Sequence, residues 1–207
     1  MTADREQNLR GWAKFLNPES LRSNLIVAAI FMASYETLRT AIIDRIKEFF
    51  THGFTQDGPI VGDEYRSKVL TLDKSELRAS LLWLRSMDAI DDSDVQVFDA
   101  IRQHRNELAH ELVRFVTSVD AEMQVDLLVA LRGLLTKIER WWIREVEIPT
   151  DPDYDGSEIS DDGIHSGSML FLQMMIDIAT GKDPSAYWDA WQQLAKTRFP
   201  GAFPSEP

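Results

Sequence analysis

An all-α fold, a four- to five-helix bundle with a C-terminal helical pair, is predicted by three features of the sequence. Apolar residues recur at helical spacing through most of the chain. Cap-forming residues stand ahead of the apolar segments, at Asn17-Pro18-Glu19-Ser20, Asp73-Lys74-Ser75-Glu76 and Asp91-Asp92-Ser93-Asp94. Strand signals are nearly absent, and no internal repeat is visible. A chain of 207 residues can bury one full core and carry a small appendage. The expected organisation is a helical bundle over residues 1–148, an acidic linker loop over 149–163, and a helical appendage packed on the bundle over 164–207.

The first convincing helix opens at Asn17, with Pro18 in its first turn, and is expected to run to about Phe50 through Leu21, Leu25, Ile30, Leu38, Ile42, Ile46 and Phe49. Tyr35 and Glu36 are the polar exceptions beside its apolar stretch and read as a partly exposed edge. Thr51 to Val61, with its Gly53-Phe54-Thr55-Gln56-Asp57-Gly58-Pro59, reads as a loop. The second helix carries Leu77, Leu81, Leu84 and Met87. The third follows the Asp91–Asp94 cap, whose acids favour the positive helix end, and continues to about Thr117. A fourth spans about Ala121 to Glu147 with Leu127, Leu131, Leu134, Leu135, Ile138, Trp142 and Val146. Pro149 closes the bundle, and Asp151 to Gly163 is acidic. Shorter helices over about 164–180 and 184–196 follow, and Met169, Leu170, Leu172, Met175 and Ile176 need something to pack against.

Composition narrows the function classes. The 44% apolar and 27% charged residues are those of an ordinary soluble globular protein. With no cysteine, disulfides and thiolate chemistry are excluded. Twenty-two basic against 34 acidic residues give a formal charge of −12, which argues against a broadly basic, nucleic-acid-coating surface. A local basic cleft stays compatible with it, because salt confines a remote charge's influence to about 8–10 Å. No secretory h-region follows the charged start, and the longest apolar run, Leu25 to Ala33, falls short of the about 20 residues a bilayer needs. The expectation is a cytoplasmic protein without a membrane partner.

The segment on which function turns is Arg102-Gln103-His104-Arg105-Asn106-Glu107-Leu108-Ala109-His110, inside the third helix. At about 100° per residue, Val97, Ile101, Leu108, Leu112 and Phe115 form one apolar stripe. Asn106 and His110 lie together nearly opposite it, and Arg105 sits at its edge. His104 falls near the stripe and reads as a packing histidine. A histidine can exchange a proton near neutral pH, and an arginine offers a fork of donors to phosphoryl oxygens. Asn106 could hold either the imidazole or a phosphate in place.

Arg105-Asn106-Glu107-Leu108-Ala109-His110 resembles the signature of the HEPN superfamily, small helical-bundle proteins that include many metal-independent ribonucleases. That signature is an arginine, four to six intervening residues and a histidine, often with a polar residue after the arginine. The resemblance covers roughly residues 18–147. It implies RNA as substrate, no cofactor and no metal, with His110 as general acid/base, Arg105 as phosphate stabiliser and Asn106 as positioning residue. It also implies a homodimer. On one ideal helix Arg105 and His110 diverge by about 140°, and a two-fold axis would bring both sets into one cleft. Members of this kind serve as toxins or antiviral defence components, with a protein antitoxin or regulator as a further partner. One departure is Leu112, where the toxins that are adenylylated by their antitoxin carry tyrosine. Many HEPN proteins are non-catalytic, so the alternative is an all-helical module that binds a partner or ligand.

Four further cations, Arg102, Lys137, Arg140 and Arg144, are candidate RNA-backbone contacts, the last three as a row along the fourth helix. The acidic loop resembles a calcium loop at Asp151, Asp153 and Asp155 with Gly156 at position six. Its twelfth position is Asp162 rather than glutamate, and Pro152 stands at position two, so a plain linker is the preferred reading. The spacing of histidines and carboxylates suggests no zinc site, and there is no glycine-rich phosphate loop. Trp188 and Trp191, three apart on an amphipathic segment, read as core or interface.

Overall fold

The computed structural model describes residues 2–154 and 159–198. Two long helices come first, α1 (Thr2–Leu16) and α2 (Pro18–Phe49), followed by a hairpin of β1 (Thr51–Thr55) and β2 (Gly58–Val61). A one-turn α3 (Asp63–Tyr65) widens into a π-turn over Arg66–Leu70, and then come α4 (Glu76–Ser86), α5 (Asp92–Thr117) and α6 (Val125–Trp142). A second π-turn, Ile143–Glu147, leads into the short α7 (Ile148–Thr150). After the acidic loop stand α8 (Gly167–Ala179) and α9 (Ser185–Arg198). The fold is all-α.

The helix starts are fixed by their caps. Asn17 accepts hydrogen bonds from the backbone N–H of Glu19 and Ser20 at 3.0 and 3.2 Å. Asp91 accepts from Ser93 and Asp94, and the Asp94 carboxylate takes the Asp91 N–H at 2.9 Å in return, a reciprocal box that satisfies orphan donors at both positions.

The central element is α2, which packs against α4, α5, α6 and α8. Leu38, Ile42 and Ile46 on α2 meet Leu81 and Leu84 of α4, Phe98 and Ile101 of α5, and Leu131, Leu135 and Ile138 of α6 in one core. Leu172 of α8 belongs to the same core and is fully buried, so the C-terminal pair is anchored in the bundle through its first helix. A buried carboxylate adds to that anchor: Glu139 of α6 accepts from Ser168 Oγ at 2.5 Å and from Arg45 at 3.3 Å. Asp177 then ties α8 to α9, accepting from Tyr187 Oη at 2.6 Å and Lys182 Nζ at 2.7 Å. By length and composition α2 could also cross a bilayer, and half of that apolar stretch is buried inside the bundle.

Four expectations are corrected. Thr51 to Val61 is a two-stranded antiparallel hairpin rather than a loop, with Thr55 opposite Gly58 and Gln56 and Asp57 as the two turn residues between them; Gly58 follows at φ +127°, a conformation that glycine adopts readily. Helix formation begins well before Asn17, because α1 is held by α5 and the loop after it. Tyr35 is no exposed edge but is 5% exposed, its ring stacked on Phe98 at 6.2 Å. Leu112 leaves the apolar stripe and is 37% exposed. The reason for the last is local: Glu111 is non-helical, at φ −123° and ψ 25°, and breaks α5 immediately after His110.

Candidate functional site

The polar residues of α5 divide between core and surface. His104 is 2% exposed, with Phe31 and Phe115 edge-on to its ring at 4.9 and 5.6 Å. Its Nε2 accepts the Gln124 backbone N–H at 3.3 Å, so that nitrogen carries no proton and the ring is a neutral packing element. Burial lowers its pKa, against an opposing pull from Glu107.

Arg105 lies one residue on and at the margin. Its side chain is 30% exposed, and its guanidinium carbon stands 5.3 Å from the centre of the Tyr35 ring, over which it is poised. Nη2 donates to Glu36 Oε1 at 3.2 Å and Nη1 to Asn106 Oδ1 at 3.4 Å, while Nε is buried without a hydrogen-bond partner. The antiparallel packing of α2 on α5 makes this cluster, since it also sets Phe31 beside His104 and Tyr35 beside Phe98. Burial raises the pKa of Tyr35, and Arg105 pulls it down. Asn106 and His110 are exposed on the outer face. His110 is five residues beyond Arg105, about 7.5 Å along the axis and well round it. The structure thus joins Arg105 to Asn106 directly and holds His110 on the neighbouring surface.

Around them the surface is mixed: Gln103 donates to Glu107 at 3.0 Å and Arg114 to Glu111 at 2.6 Å on the same helix. Val113 is 73% exposed, and Leu25 and Ile26 of α2 are also exposed. Beyond the Glu111 break, Val113 and Val116 line a cavity of about 770 Å³ against Gly11, Trp12 and Phe15 of α1. Two backbone carbonyls, of Ser118 and Ala121, accept from Lys14 Nζ at 2.7 and 2.9 Å and hold α1 there.

Three of the other candidate cations face carboxylates. Arg102 pairs with Asp99 at 3.5 Å, and Asp99 is shared with Arg78. Lys137 bridges Asp91, at 2.9 Å, and Asp94 at the start of α5, and Arg144 pairs with Asp161. Together with Arg140 and Trp141 these two line a cleft of about 390 Å³. About 24 Å of helix separates Asp94 from His110, so this cleft and the Arg105 surface are two places, not one. Sequence reasoning missed Tyr35 and Glu36 as neighbours of Arg105; the signal was present in Phe31, Tyr35, Leu38 and Ile42, whose spacing puts Tyr35 on the buried stripe of α2.

In the acidic loop, Asp155 and the side chains of Asp153 and Asp162 lie outside the described residues. Asp151 precedes a short 3₁₀ turn, Pro152–Tyr154. Among the described residues no group of three or more histidines and carboxylates is gathered as for a metal. Trp188 and Trp191 stack at 5.2 Å, and both are exposed rather than core. Compared with family models, curated proteins and solved structures, the chain matches none of them.

Proposed function

We propose that this chain is a metal-independent endoribonuclease of HEPN type, working in the cytoplasm as a homodimer, in a toxin or antiviral defence role under a protein antitoxin or regulator. The observation that carries the reading is the setting of Arg105: shelved on Tyr35, bonded to Asn106, and followed by an exposed His110 on the same helix. One copy offers arginine and imidazole in diverging directions, and the exposed apolar residues beside them, Val113 foremost, suit a second copy.

In the shared cleft His110 takes the proton of an RNA 2′-hydroxyl as its oxygen attacks the adjacent phosphorus. The bond to the 5′-oxygen breaks, and that oxygen leaves with a proton from the second copy's imidazolium. A 2′,3′-cyclic phosphate and a 5′-hydroxyl result, so atoms and charge balance without a cofactor. Arg105 stabilises the negative charge that builds on the phosphoryl oxygens, and Asn106 steadies the scissile group.

The test is incubation of the purified chain with total RNA in excess chelator. Cleavage by the wild-type chain is expected, with a drop of at least a hundredfold in both His110→Ala and Arg105→Ala while the far-ultraviolet circular dichroism stays unchanged. Cleavage at the wild-type rate in both variants would overturn the proposal. Stable RNA or protein capture with no turnover in any of the three would instead favour the non-catalytic binding module.

A further inference from the structure

Arg105 already has an anion. Glu36 Oε1 lies 3.2 Å from Nη2, and its other oxygen stands 3.9 Å from Arg39 Nη1 on the next turn of α2. Nε of Arg105 is turned into the protein, where it has no partner. The donors left for an incoming phosphate are therefore those on the two terminal nitrogens, and Nη2 is held by Glu36. The Tyr35 ring, itself buried against Phe98, fixes the plane of the guanidinium, so the fork cannot swing away from the carboxylate without leaving its shelf.

We propose that Glu36 is a resting counter-anion that masks Arg105, and that a phosphodiester binds by displacing it. The proposal rests on the reading of Arg105 as the phosphate-binding residue and adds how that residue is regulated. Glu36 is half exposed, so the mask is shallow: water and salt screen the pair, and a polyanion can compete for the fork. Its effect is to favour substrates that present several phosphates at once over single small anions, since only those recover what the carboxylate gave. Removing the carboxylate also removes a like charge from the path of the phosphate.

The experiment measures binding of a labelled single-stranded RNA oligonucleotide by fluorescence anisotropy, with His110→Ala in every protein so that no turnover intervenes. Glu36→Gln keeps size and hydrogen-bonding capacity but drops the charge. Tightening of about two- to fivefold is expected in low salt, fading as salt rises, because exposed ion pairs are worth that much. In an Arg105→Ala background the Glu36→Gln effect should vanish. Unchanged or weaker binding in Glu36→Gln would overturn the mask and make Glu36 a positioning residue. Equal tightening with and without Arg105 would also overturn it, by reducing the effect to general charge. If Arg105→Ala itself binds RNA as well as its parent, the reading of Arg105 fails, and the mask falls with it.

Discussion

Two histidines six positions apart on α5 illustrate how far the surroundings decide what a residue can do. His110 is exposed, whereas His104 is sealed between Phe31 and Phe115 with its pKa lowered by burial. The lowered pKa has a consequence for stability with a definite sign. As pH falls below about 6.5 the unfolded chain takes up a proton that the folded chain resists, so unfolding is favoured there; above that pH both states are neutral at this ring and its full contribution is retained. His104 is the buried histidine of the four, and its protonation opposes the fold. The urea midpoint is expected to fall between pH 7.5 and pH 5.5 in the wild-type chain. In His104→Gln it should start lower and change less over the same interval. An equal fall in both would assign the acid sensitivity elsewhere.

At the scale of elements, what could be read from the chain is what depends on local chemistry. The α2, α4 and α5 starts follow from Asn17, Ser75 and Asp91, each of which accepts backbone N–H groups as its residue type and position require. The place of Arg105 at the margin of the α5 stripe was likewise legible. The hairpin was not, because its strands are short and hold Gly53, Gly58 and Pro59, which read as loop residues; α1 was not, because long-range neighbours decide it. α1 leaves Leu9, Trp12 and Leu16 exposed, so it shows no buried stripe, and it stays in place through Lys14 and through Gly11. A side chain at position 11 would put its Cβ 2.6 Å from the Thr117 carbonyl oxygen, a contact with backbone that cannot give way. Gly11→Ala is expected to lift α1 off α5 at a cost of about 1–3 kcal/mol. Trypsin cleavage after Lys14 should then quicken about tenfold, while the remaining helices keep their circular dichroism. Unaltered protection would mean that α1 is held by something other than this close approach.

At the scale of the whole molecule, the proposed function calls for a second copy. The proposed two-fold assembly uses the surface around His110, and Val113 is the most exposed apolar side chain there. If the proposed assembly holds, the wild-type chain is expected to elute as a dimer and Val113→Glu as a monomer, and RNA cleavage should fall with it, although neither Arg105 nor His110 has been touched. A dimer that persists in this variant would place the contact on another face. The acidity of the chain has a related effect: with 34 carboxylates, cations that might have formed an open RNA track, such as Arg102, Lys137 and Arg144, are each engaged by an acid. This pairing was out of reach of the sequence, since Asp91 and Lys137, or Arg144 and Asp161, meet only once the helices have docked.

Leu172 carries a last consequence. A side chain from beyond the acidic loop lies fully buried in the bundle core, and its helix packs on α2 and α6, so the chain on either side of that loop belongs to one body. A cut in the chain between α7 and α8 would leave both pieces clasped together, and prising them apart would open a hole in the middle of the bundle.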